Sequence, residues 1–435
     1  MNLLEELSWR GILHDAMPGT AEHLASTRPA SGYVGFDPTA PSLHIGNLAG
    51  IMLLVHLQRA GHRPVALVGG ATGMIGDPSG KSAERNLLDE PTLRANQDGI
   101  RAQLEKFLDF NDSPTGAVLV NNYDWFQGFG YLQFLRDVGK HLTVNYMLAK
   151  DSVKRRVGGN EETGAEGISY TEFSYQLLQG YDFYHLYKTL NCTLQMGGSD
   201  QWGNITTGTE LIRRMGGPEA KAYALTGQLI TKADGTKYGK SESGAVWLDP
   251  ALTSPYQFYQ FFLNSTDEDA PRLTRVFTLL SQAEIEALEA EHAQNPGRKV
   301  LQKALAQDVT IRVHSEAVYE AAVAASEVLF GKGGDLTALS EATLLDAFAG
   351  LPHLRVPRAE ATTLPLAVLL SEATDKKILP SRGEVRKLIQ ANGLSLNGQK
   401  ATSPDTLAAE LPLLHAKYVV VKKGRRDYFL LELTT

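Results

Sequence analysis

Four short runs of β-forming residues recur along the first half of the chain and constrain its fold more than any other feature. Each run ends in a cluster of Gly, Asn or Asp, and helical patterns separate them; the runs are Tyr33–Phe36, Pro64–Val68, Ala117–Val120 and Thr193–Met196. Strands joined through helices lie parallel in one sheet, and ligands bind beyond the carboxyl ends of such strands. The pattern therefore predicts an open parallel α/β sheet with a binding edge.

The rest of the 435-residue chain changes character and predicts further domains. We predict an α/β domain over residues 1–230 with a helical insertion at about 125–160, a lysine-rich loop at 231–250 and a helical domain at 251–345. A Pro- and Thr-containing linker at 346–363 then leads to a small α+β domain at 364–435. The last domain has a turn at Asn397-Gly398 and a β-rich end.

Composition excludes several classes of protein and suggests one class of partner. No run of eighteen apolar residues occurs, so we expect no membrane span, and the single cysteine, Cys192, fits a reducing cytoplasm better than a disulfide framework. The net charge of −7 argues against general DNA affinity. Residues 364–435 nevertheless carry eleven Lys and Arg against seven Asp and Glu. This basic tail suggests contact with a polyanion, although an ordinary solvated domain stays possible.

The segment Phe36–Asn47 combines a small hydroxyl, an imidazole and a glycine at the start of an apolar helix. Helix N-termini present unpaired N–H groups to phosphate, and Thr39, His44 and Asn47 lie just before or within the first turn. Gly46 leaves room for a nucleotide ring against the backbone. These residues predict an ATP phosphate site; the alternative is a capped helix with a satisfied histidine.

A second segment, residues 232–241, is a Gly-punctuated loop with three lysines. Lys237 and Lys240 flank Gly239, which lets the loop close, and lysine binds phosphate as a compact charge. A solvated turn at Asp234-Gly235 is the alternative. Together the two segments could hold a polyphosphate from two sides.

The Gly-rich stretch at 68–82 matches neither common nucleotide motif. A P-loop needs glycine where Ile75 stands, and the glycine spacing also misses the dinucleotide fingerprint. Asp77 at its rim could hold an amine, and Lys81 and Arg85 could meet phosphate. A Gly-rich loop with a surface ion pair is the alternative.

A helical pattern over 170–182 places a phenol, an amide and a carboxylate on one face. Tyr175, Gln179 and Asp182 have the spacing i, i+4 and i+7. That face suits a small polar ligand, although it could instead be exposed.

These motifs together resemble the bacterial-type tyrosyl-tRNA synthetases, end to end. Residues 44–47 resemble the family's His-Ile-Gly-His element, and residues 237–241 resemble its Lys-Met-Ser-Lys-Ser element. Residues 69–81, 121–125 and 197–204 match further family blocks, and the tail around 381–387, 396–398 and 419–424 resembles an S4-type RNA-binding module.

The resemblance implies the architecture and the partners. It implies a Rossmann-like parallel-sheet catalytic domain, an all-helical anticodon-binding domain and an S4-like α+β domain. The partners would be L-tyrosine, ATP with Mg²⁺ and tRNA(Tyr), and the insertion would form a homodimer. No protein-bound prosthetic group or protein metal ligand is expected.

The resemblance also implies a role for each matched residue. Tyrosine would be bound at its phenol by Tyr33 and Asp182, at its ammonium by Asp77, Tyr175 and Gln179, and near its carboxyl by Gln195 and Gln201. ATP would be bound by Asp37, Thr39, His44, Gly46, Asn47, Gly198 and Asp200. Pyrophosphate would be bound by Lys81, Arg85, Lys237, Lys240 and Ser241. The tail would bind tRNA through Arg382, Arg386, Lys387, Lys422, Lys423, Arg425 and Arg426.

Two departures and three rivals accompany this interpretation. Asn47 replaces the second signature histidine but can still donate to an oxygen, and Val34 and Gly50 replace small polar residues near the ribose. The rivals are a tryptophanyl-tRNA synthetase, an RNA-binding relative without catalysis and a small-molecule adenylyltransferase. The first would not need the Tyr33/Asp182 pair.

Overall fold

The predicted parallel sheet is present in the computed structural model of the chain. The structure describes residues 2–77, 79, 90–157, 167–231, 238–241, 244–330, 336–348, 351–424 and 427–434. Backbone contacts divide the chain into two units, residues 1–253 with 261–313 and residues 254–260 with 314–435. Among the described residues, no helix has the length and apolarity needed to cross a membrane.

A six-stranded sheet forms the centre of the first unit, in the order β1-β6-β5-β2-β3-β4. Its strands are β1 Leu13–Ala16, β2 Ser31–Phe36, β3 Arg63–Val68, β4 Val118–Asn121, β5 Cys192–Gly198 and β6 Tyr223–Gly227. All neighbours pair parallel except β1, which is antiparallel to β6. The four predicted strands are thus confirmed, and the chain order reverses between β2 and β5, where α/β sheets place their ligands.

Helices cover this sheet and form the predicted insertion. The first ten helices are α1 Leu3–Trp9, α2 Thr20–Ser26, α3 Ile45–Arg59, α4 Glu90–Leu104, α5 Tyr123–Phe126, α6 Tyr131–Asp137, α7 Val144–Leu148, α8 Asp151–Val157, α9 Tyr170–Leu190 and α10 Trp202–Gly216. They are followed by the short pair β7 Lys240–Ser241 and β8 Gly244–Ala245, and by α11 Pro255–Leu263, α12 Ala270–Phe277, α13 Gln282–Gln294 and α14 Val300–Val313.

Helix α3 is buried on nearly every side, which explains why its sequence is apolar all round. Ile45, Leu48, Ile51 and Leu54 are at most 1% exposed, and a helix with this pattern belongs in a core. Because α3 directly follows β2, its N-terminus lies at the carboxyl edge of the sheet. The helix predicted from Gly46 to Ala60 is therefore confirmed, shifted by one residue.

The second unit contains a five-stranded sheet in the order β11-β10-β12-β13-β9. Its elements are α15 Glu316–Phe330, α16 Glu341–Ala347, β9 His353–Pro357, α17 Arg358–Ala361, α18 Leu366–Leu369, α19 Arg382–Gln390, β10 Leu394–Leu396, β11 Gln399–Lys400, β12 Tyr418–Lys423 and β13 Asp427–Thr434. An apolar core that includes Leu366, Val385 and Val421 is formed by elements from β9 onward.

Two predicted boundaries differ from this arrangement. Residues 346–363, expected as a linker, contribute β9, which pairs parallel with β13 over residues 353–357. The stretch 251–345 is helical as expected in α11–α16, but it is shared between the two units. The anticodon-binding role of that stretch stays a prediction.

Buried basic side chains cluster around His56 of α3. Arg10 is 1% exposed, and its guanidinium donates to the backbone carbonyls of Arg275, Thr278 and Leu280 near the end of α12. His56 on α3 is fully buried, and neither ring nitrogen has a hydrogen-bond partner among the described residues. Burial, and then the nearby Arg10, Arg59 and Arg312, lower the pKa of His56 to about 3.

This cluster predicts acid sensitivity of the fold. An unfolded histidine takes up a proton near pH 6.5, whereas folded His56 stays neutral, so stability is lost as the pH falls from about 6.5 toward 3. At pH 5 the loss is about 2 kcal/mol. His56→Gln should remove that slope in urea unfolding measured between pH 7 and pH 5. Parallel stability curves for the wild type and His56→Gln would contradict the assignment.

Candidate active site

The predicted site residues converge at the carboxyl ends of β2 and β5. Tyr33 lies on β2, Gln195 on β5, and Asp182 comes from α9, which precedes β5. Loops that follow β3 and β4 supply further polar groups. Residues far apart in sequence meet here because parallel strands end on one edge of the sheet.

A phenol and a carboxylate are buried together at the base of this crevice. Tyr33 and Asp182 are each 1% exposed. Burial raises the pKa of Tyr33 well above its usual value, and the charge of Asp182 raises it further. The hydroxyl of Tyr33 has no hydrogen-bond partner among the described residues. A buried polar atom without a partner is costly unless a ligand supplies one.

Two donors hold the carboxylate of Asp182. Asn122 Nδ2 donates to Oδ2 at 3.0 Å, and Trp125 Nε1 donates to Oδ1 at 2.9 Å. Burial raises the pKa of Asp182 well above the usual carboxyl value, while both hydrogen bonds lower it. Since indole and amide N–H groups only donate, both oxygens of Asp182 act as acceptors toward Trp125 and Asn122. The remaining lone pairs of the carboxylate can accept from a ligand hydroxyl.

A second polar cluster lies around Asp77. Gln201 Nε2 donates to Asp77 Oδ2 at 2.7 Å, and Asn204 Nδ2 is 3.3 Å from Asp77 Oδ1. Gln179 Nε2 is 3.4 Å from Gln201 Oε1, and the Oε1 atom of Gln179 is buried without a partner among the described residues. Carboxylate and amide oxygens directed into one crevice suit an ammonium group.

Tyr175 joins this cluster to β2. Its hydroxyl donates to Asp37 Oδ2 at 2.8 Å, and Thr72 Oγ1 donates to Asp37 Oδ1 at 2.8 Å. Asp37 was predicted to bind ATP, and the structure gives it contacts with the residues that line the amino-acid end. Because Tyr175 uses its proton on Asp37, its lone pairs are available to an ammonium group.

The end of β5 carries the remaining residues predicted near the carboxyl and ribose. Gln195 is 2% exposed, and its Oε1 has no partner among the described residues. Asp200 is exposed just beyond the strand. A side chain at Gly198 would place its Cβ 2.6 Å from Asp200 Oδ1, so glycine keeps this carboxylate close to the strand end.

The N-terminus of α3 is held by residues of the first signature. His44 is the N-cap residue, and its backbone N–H donates to Asn47 Oδ1 at 3.0 Å. Asn47 therefore caps the helix through its oxygen, a role that the sequence comparison with histidine did not reveal. A Cβ at Gly46 would lie 2.8 Å from the His44 ring. Thr39 lies exposed two residues after Asp37.

The described part of the lysine loop packs against this N-terminus. Gly239 has φ +97°, and a Cβ there would lie 2.8 Å from the backbone nitrogen of Gly46. Val246 N–H donates to the Gly239 carbonyl, and Ile45 N–H donates to the Val246 carbonyl. The two segments predicted to hold a polyphosphate are thus adjacent.

The side chain of Tyr238 anchors the loop on two phenylalanine rings. It is 8% exposed, and its ring stacks on Phe277 at 5.8 Å and meets Phe261 edge-on at 5.2 Å. Aromatic packing of this kind holds the loop.

Comparison with known proteins agrees with this geometry. The sequence model described as tRNA synthetases class I (W and Y) matches residues 25–331, and that of the tyrosine–tRNA ligase SYY-like C-terminal domain matches residues 344–431. A tyrosine–tRNA ligase of Cytophaga hutchinsonii is 60% identical over 99% of both chains, and one of Porphyromonas gingivalis is 59% identical over the same share. The chain belongs to the tyrosine–tRNA ligase family. It is an aminoacyl-tRNA synthetase.

A solved structure places the family likeness in the fold as well. The C-terminally truncated mitochondrial tyrosyl-tRNA synthetase of Aspergillus nidulans aligns with a TM-score of 0.67 at 30% identity. The alignment covers 76% of this chain and 94% of that one.

Several predicted residues of this synthetase lie outside the described residues or in the second unit. Lys81, Arg85, Lys237, Arg425 and Arg426 are outside the described residues, and only the backbone of Lys240 and Ser241 is described. The described basic residues of the tail are in the second unit. Arg382 pairs with Glu372 at 2.6 Å, Lys387 pairs with Glu384 at 3.1 Å, and Lys422 lies over the ring of Tyr428. Arg386 lies on α19, and Lys423 is the last residue of β12.

Asn122, Trp125 and Thr72 are the synthetase residues whose roles the sequence reasoning missed. Asn122 and Trp125 stood in a matched family block without a role, and Thr72 lay in the Gly-rich stretch. Their partners come from other loops, so no local pattern could identify the contacts. Polar residues directly after the strands β3 and β4 were the available signal.

The aromatic anchor predicts a defect confined to activation. Tyr238→Ala should lower the rate of tyrosine-dependent ATP–pyrophosphate exchange about 10- to 100-fold, which is about 1.4–2.8 kcal/mol of barrier, because the loop loses its position. Tyrosine affinity should not change, and Tyr238→Phe should retain the rate. Tyr259→Leu, which removes a buried aromatic ring packed on Tyr319, is the matched control. A rate equal to wild type in Tyr238→Ala would refute the anchor.

Proposed function

We propose that the chain activates L-tyrosine with ATP and then transfers the tyrosyl group to the 3′-terminal adenosine of tRNA(Tyr). One observation carries the choice of amino acid: within the described part of the chain, the buried Tyr33 hydroxyl has no hydrogen-bond partner, and it lies beside the carboxylate of Asp182, which accepts from two donors. A substrate phenol donates to Asp182 and hydrogen-bonds Tyr33. Phenylalanine would leave the buried hydroxyl of Tyr33 without a partner and would add no donor to Asp182.

The ammonium and carboxyl groups of tyrosine meet the second polar cluster. Asp77, Tyr175 and Gln179 accept from the ammonium, with Gln201 and Asn204 fixing the orientation of Asp77. Gln195 and Gln201 lie toward the carboxyl. This arrangement holds the carboxylate at the mouth of the crevice, where the N-terminus of α3 begins.

In the activation step, a carboxylate oxygen of tyrosine attacks the α-phosphorus of ATP. A new P–O bond forms, the bond to the bridging oxygen breaks, and pyrophosphate leaves with the electron pair. No protein base is required because the nucleophile is already ionised. Catalysis is positioning and charge stabilisation, for which we assign Thr39, His44, Lys81, Arg85, Lys237, Lys240 and Ser241 to the phosphates and Asp37, Gly46, Asn47, Gly198 and Asp200 to the nucleotide.

Mg²⁺ enters with ATP in this proposal. The ion prefers oxygen ligands and commonly binds through substrate phosphates. Among the described residues, no group of three His, Cys, Asp or Glu side chains could hold a metal ion. Mg²⁺ bound to the phosphates would neutralise the charge of the leaving pyrophosphate.

The transfer step takes place on tRNA, which we assign to the basic residues of the second unit and to the helical segment 251–345. Phosphate contacts supply affinity that depends on salt and not on sequence. We place the reaction in the cytoplasm, consistent with a buried, unpaired Cys192.

ATP–pyrophosphate exchange with tyrosine, phenylalanine and tryptophan offered separately tests this function. We expect exchange with tyrosine alone. Exchange with tryptophan would overturn the assignment of Tyr33 and Asp182 and favour the tryptophanyl rival. No exchange with any of the three would favour a relative that binds RNA without catalysis.

We also propose that the insertion forms a homodimer. The insertion and the adjacent start of α9 expose apolar side chains that a monomer would leave in water. In the insertion, Tyr131, Leu132, Val144 and Val157 are 62%, 80%, 59% and 55% exposed, and Tyr170 at the start of α9 is 63% exposed. Large exposed apolar patches mark interaction sites, and symmetric dimers bury the same patch on both subunits.

Sedimentation equilibrium of Leu132→Asp tests the dimer. A buried, unpaired carboxylate at a subunit contact is costly, so we expect at least a tenfold weaker dimer. Leu252→Asp is the control, since Leu252 is also exposed, at 47%, but lies outside the insertion. An unchanged dimer in Leu132→Asp, or a monomeric wild type, would refute this surface as the interface.

A further inference from the structure

We propose that the hydroxyl of Thr72 couples the phenol end of the tyrosine pocket to its ammonium end, which makes Thr72 a positioning residue for the whole substrate. The inference rests on the proposed function, because it assumes that tyrosine is the ligand. It depends on a continuous series of hydrogen bonds that no single loop contains.

The series runs through three side chains, Asp37, Thr72 and Asn122, between Tyr175 at one end and Asp182 at the other. Tyr175 donates to Asp37 at 2.8 Å, and Thr72 donates to the other oxygen of Asp37 at 2.8 Å. Asn122 Nδ2 then donates to Thr72 Oγ1 at 3.0 Å and to Asp182 Oδ2 at 3.0 Å. We call Thr72 the junction because its hydroxyl donates to Asp37 on one side and accepts from Asn122 on the other. The residue is only 2% exposed.

The orientation of the Asn122 amide follows from its third contact. Its Oδ1 accepts from the backbone N–H of Ala71 at 2.7 Å, so the nitrogen must be the atom that points to Thr72 and Asp182. Asn122 is fully buried. Both amide protons of Asn122 are thus used, one on Thr72 and the other on Asp182.

The direction of every bond is then determined. Asp37 accepts on both oxygens, so Thr72 must give its only proton to Asp37 and receive from Asn122. Tyr175 likewise gives its proton to Asp37 and offers lone pairs to an ammonium. Asp182 accepts from Asn122 and Trp125 and offers lone pairs to a phenol. Loss of the Thr72 hydroxyl would leave an Asn122 proton buried without an acceptor.

The backbone next to Thr72 and Asp37 has a glycine, Gly69, where a side chain would not fit. A Cβ at Gly69 would collide with both Asp37 Oδ1 and Thr72 Oγ1. Gly69 is therefore required where these two side chains meet. Thr72 itself begins a single 3-10 turn, Thr72–Met74, four residues after the last residue of β3.

The test measures selectivity at each end of the substrate separately. Competition against tyrosine in the exchange assay gives inhibition constants for phenylalanine, which lacks the hydroxyl, and for 3-(4-hydroxyphenyl)propionate, which lacks the ammonium. We expect Thr72→Val to reduce the preference for tyrosine over each analogue about tenfold or more. Thr72→Ser, which keeps the hydroxyl, should retain both preferences.

Thr274→Val is the matched control. Thr274 is also fully buried, but its hydroxyl donates only to the backbone carbonyl of Ala270 within α12. This variant should lose stability without changing either preference. If Thr72→Val does not fold, Gly69→Ala separates the same two side chains and should show the same double loss.

Loss of one preference alone, or of neither in a folded variant, would overturn the coupling. A single loss would mean that Thr72 supports only one end of the pocket. Failure of the proposed function is a separate result, because wild-type protein would then show no tyrosine-dependent exchange before any variant is compared.

Discussion

The buried carboxylate of Asp182 is the constraint on which the pocket depends. Burial favours the neutral acid, and an acid would have to donate a proton to a neighbour. Trp125 and Asn122 are donors, so they oppose protonation and make the carboxylate an acceptor. A buried acceptor of this kind favours a ligand whose aromatic side chain carries a hydrogen-bond donor. Among the aromatic amino acids of protein synthesis, tyrosine has the phenol that we propose to meet both Asp182 and Tyr33.

The fold of the first unit could be predicted because its signals are local. Buried strands, Gly-rich strand ends and an apolar helix after β2 each show in a short window of sequence. The strand β9 could not, because Pro352 and Pro365 make the surrounding composition typical of a linker. Its pairing with β13 is set by a partner more than seventy residues away, at 427–434. The division of the helical stretch between two units also depends on packing over long distances.

The same distinction applies to the candidate site. Tyr175, Gln179 and Asp182 share one helix, so their spacing predicted one face. Asp77 was predicted from its place at the rim of the Gly-rich stretch, and Tyr33 came from the family resemblance. Thr72 and Asn122 act through contacts between loops that follow different strands, which no spacing describes. Asn47 differs again: it was judged as a substitute for histidine at the phosphate, whereas its oxygen caps α3. For Thr72 and Asn122 the missing information was the identity of a distant partner, whereas Asn47 accepts from the backbone of His44, three residues away.

The helix α12 connects the buried cations to the lysine loop. Arg10 from α1 donates to the carbonyls of Arg275 and Thr278, and Arg312 from α14 donates to the carbonyl of Phe277 at 3.0 Å. The side chain of Phe277 stacks on Tyr238, which begins the described part of the loop.

Charged groups are rarely buried unless they are paired and hydrogen-bonded. Arg10 pairs with Glu6 and Arg312 pairs with Asp308, and their remaining bonds go to the backbone at one helix end. The cations therefore stabilise the position of the ring that holds the loop. The end of α12 is in this way a rigid support for the loop that we assign to the pyrophosphate, set against the N-terminus of α3 through Gly239 and Gly46. A support of this kind limits the positions that the loop lysines can take, which is what catalysis by positioning requires.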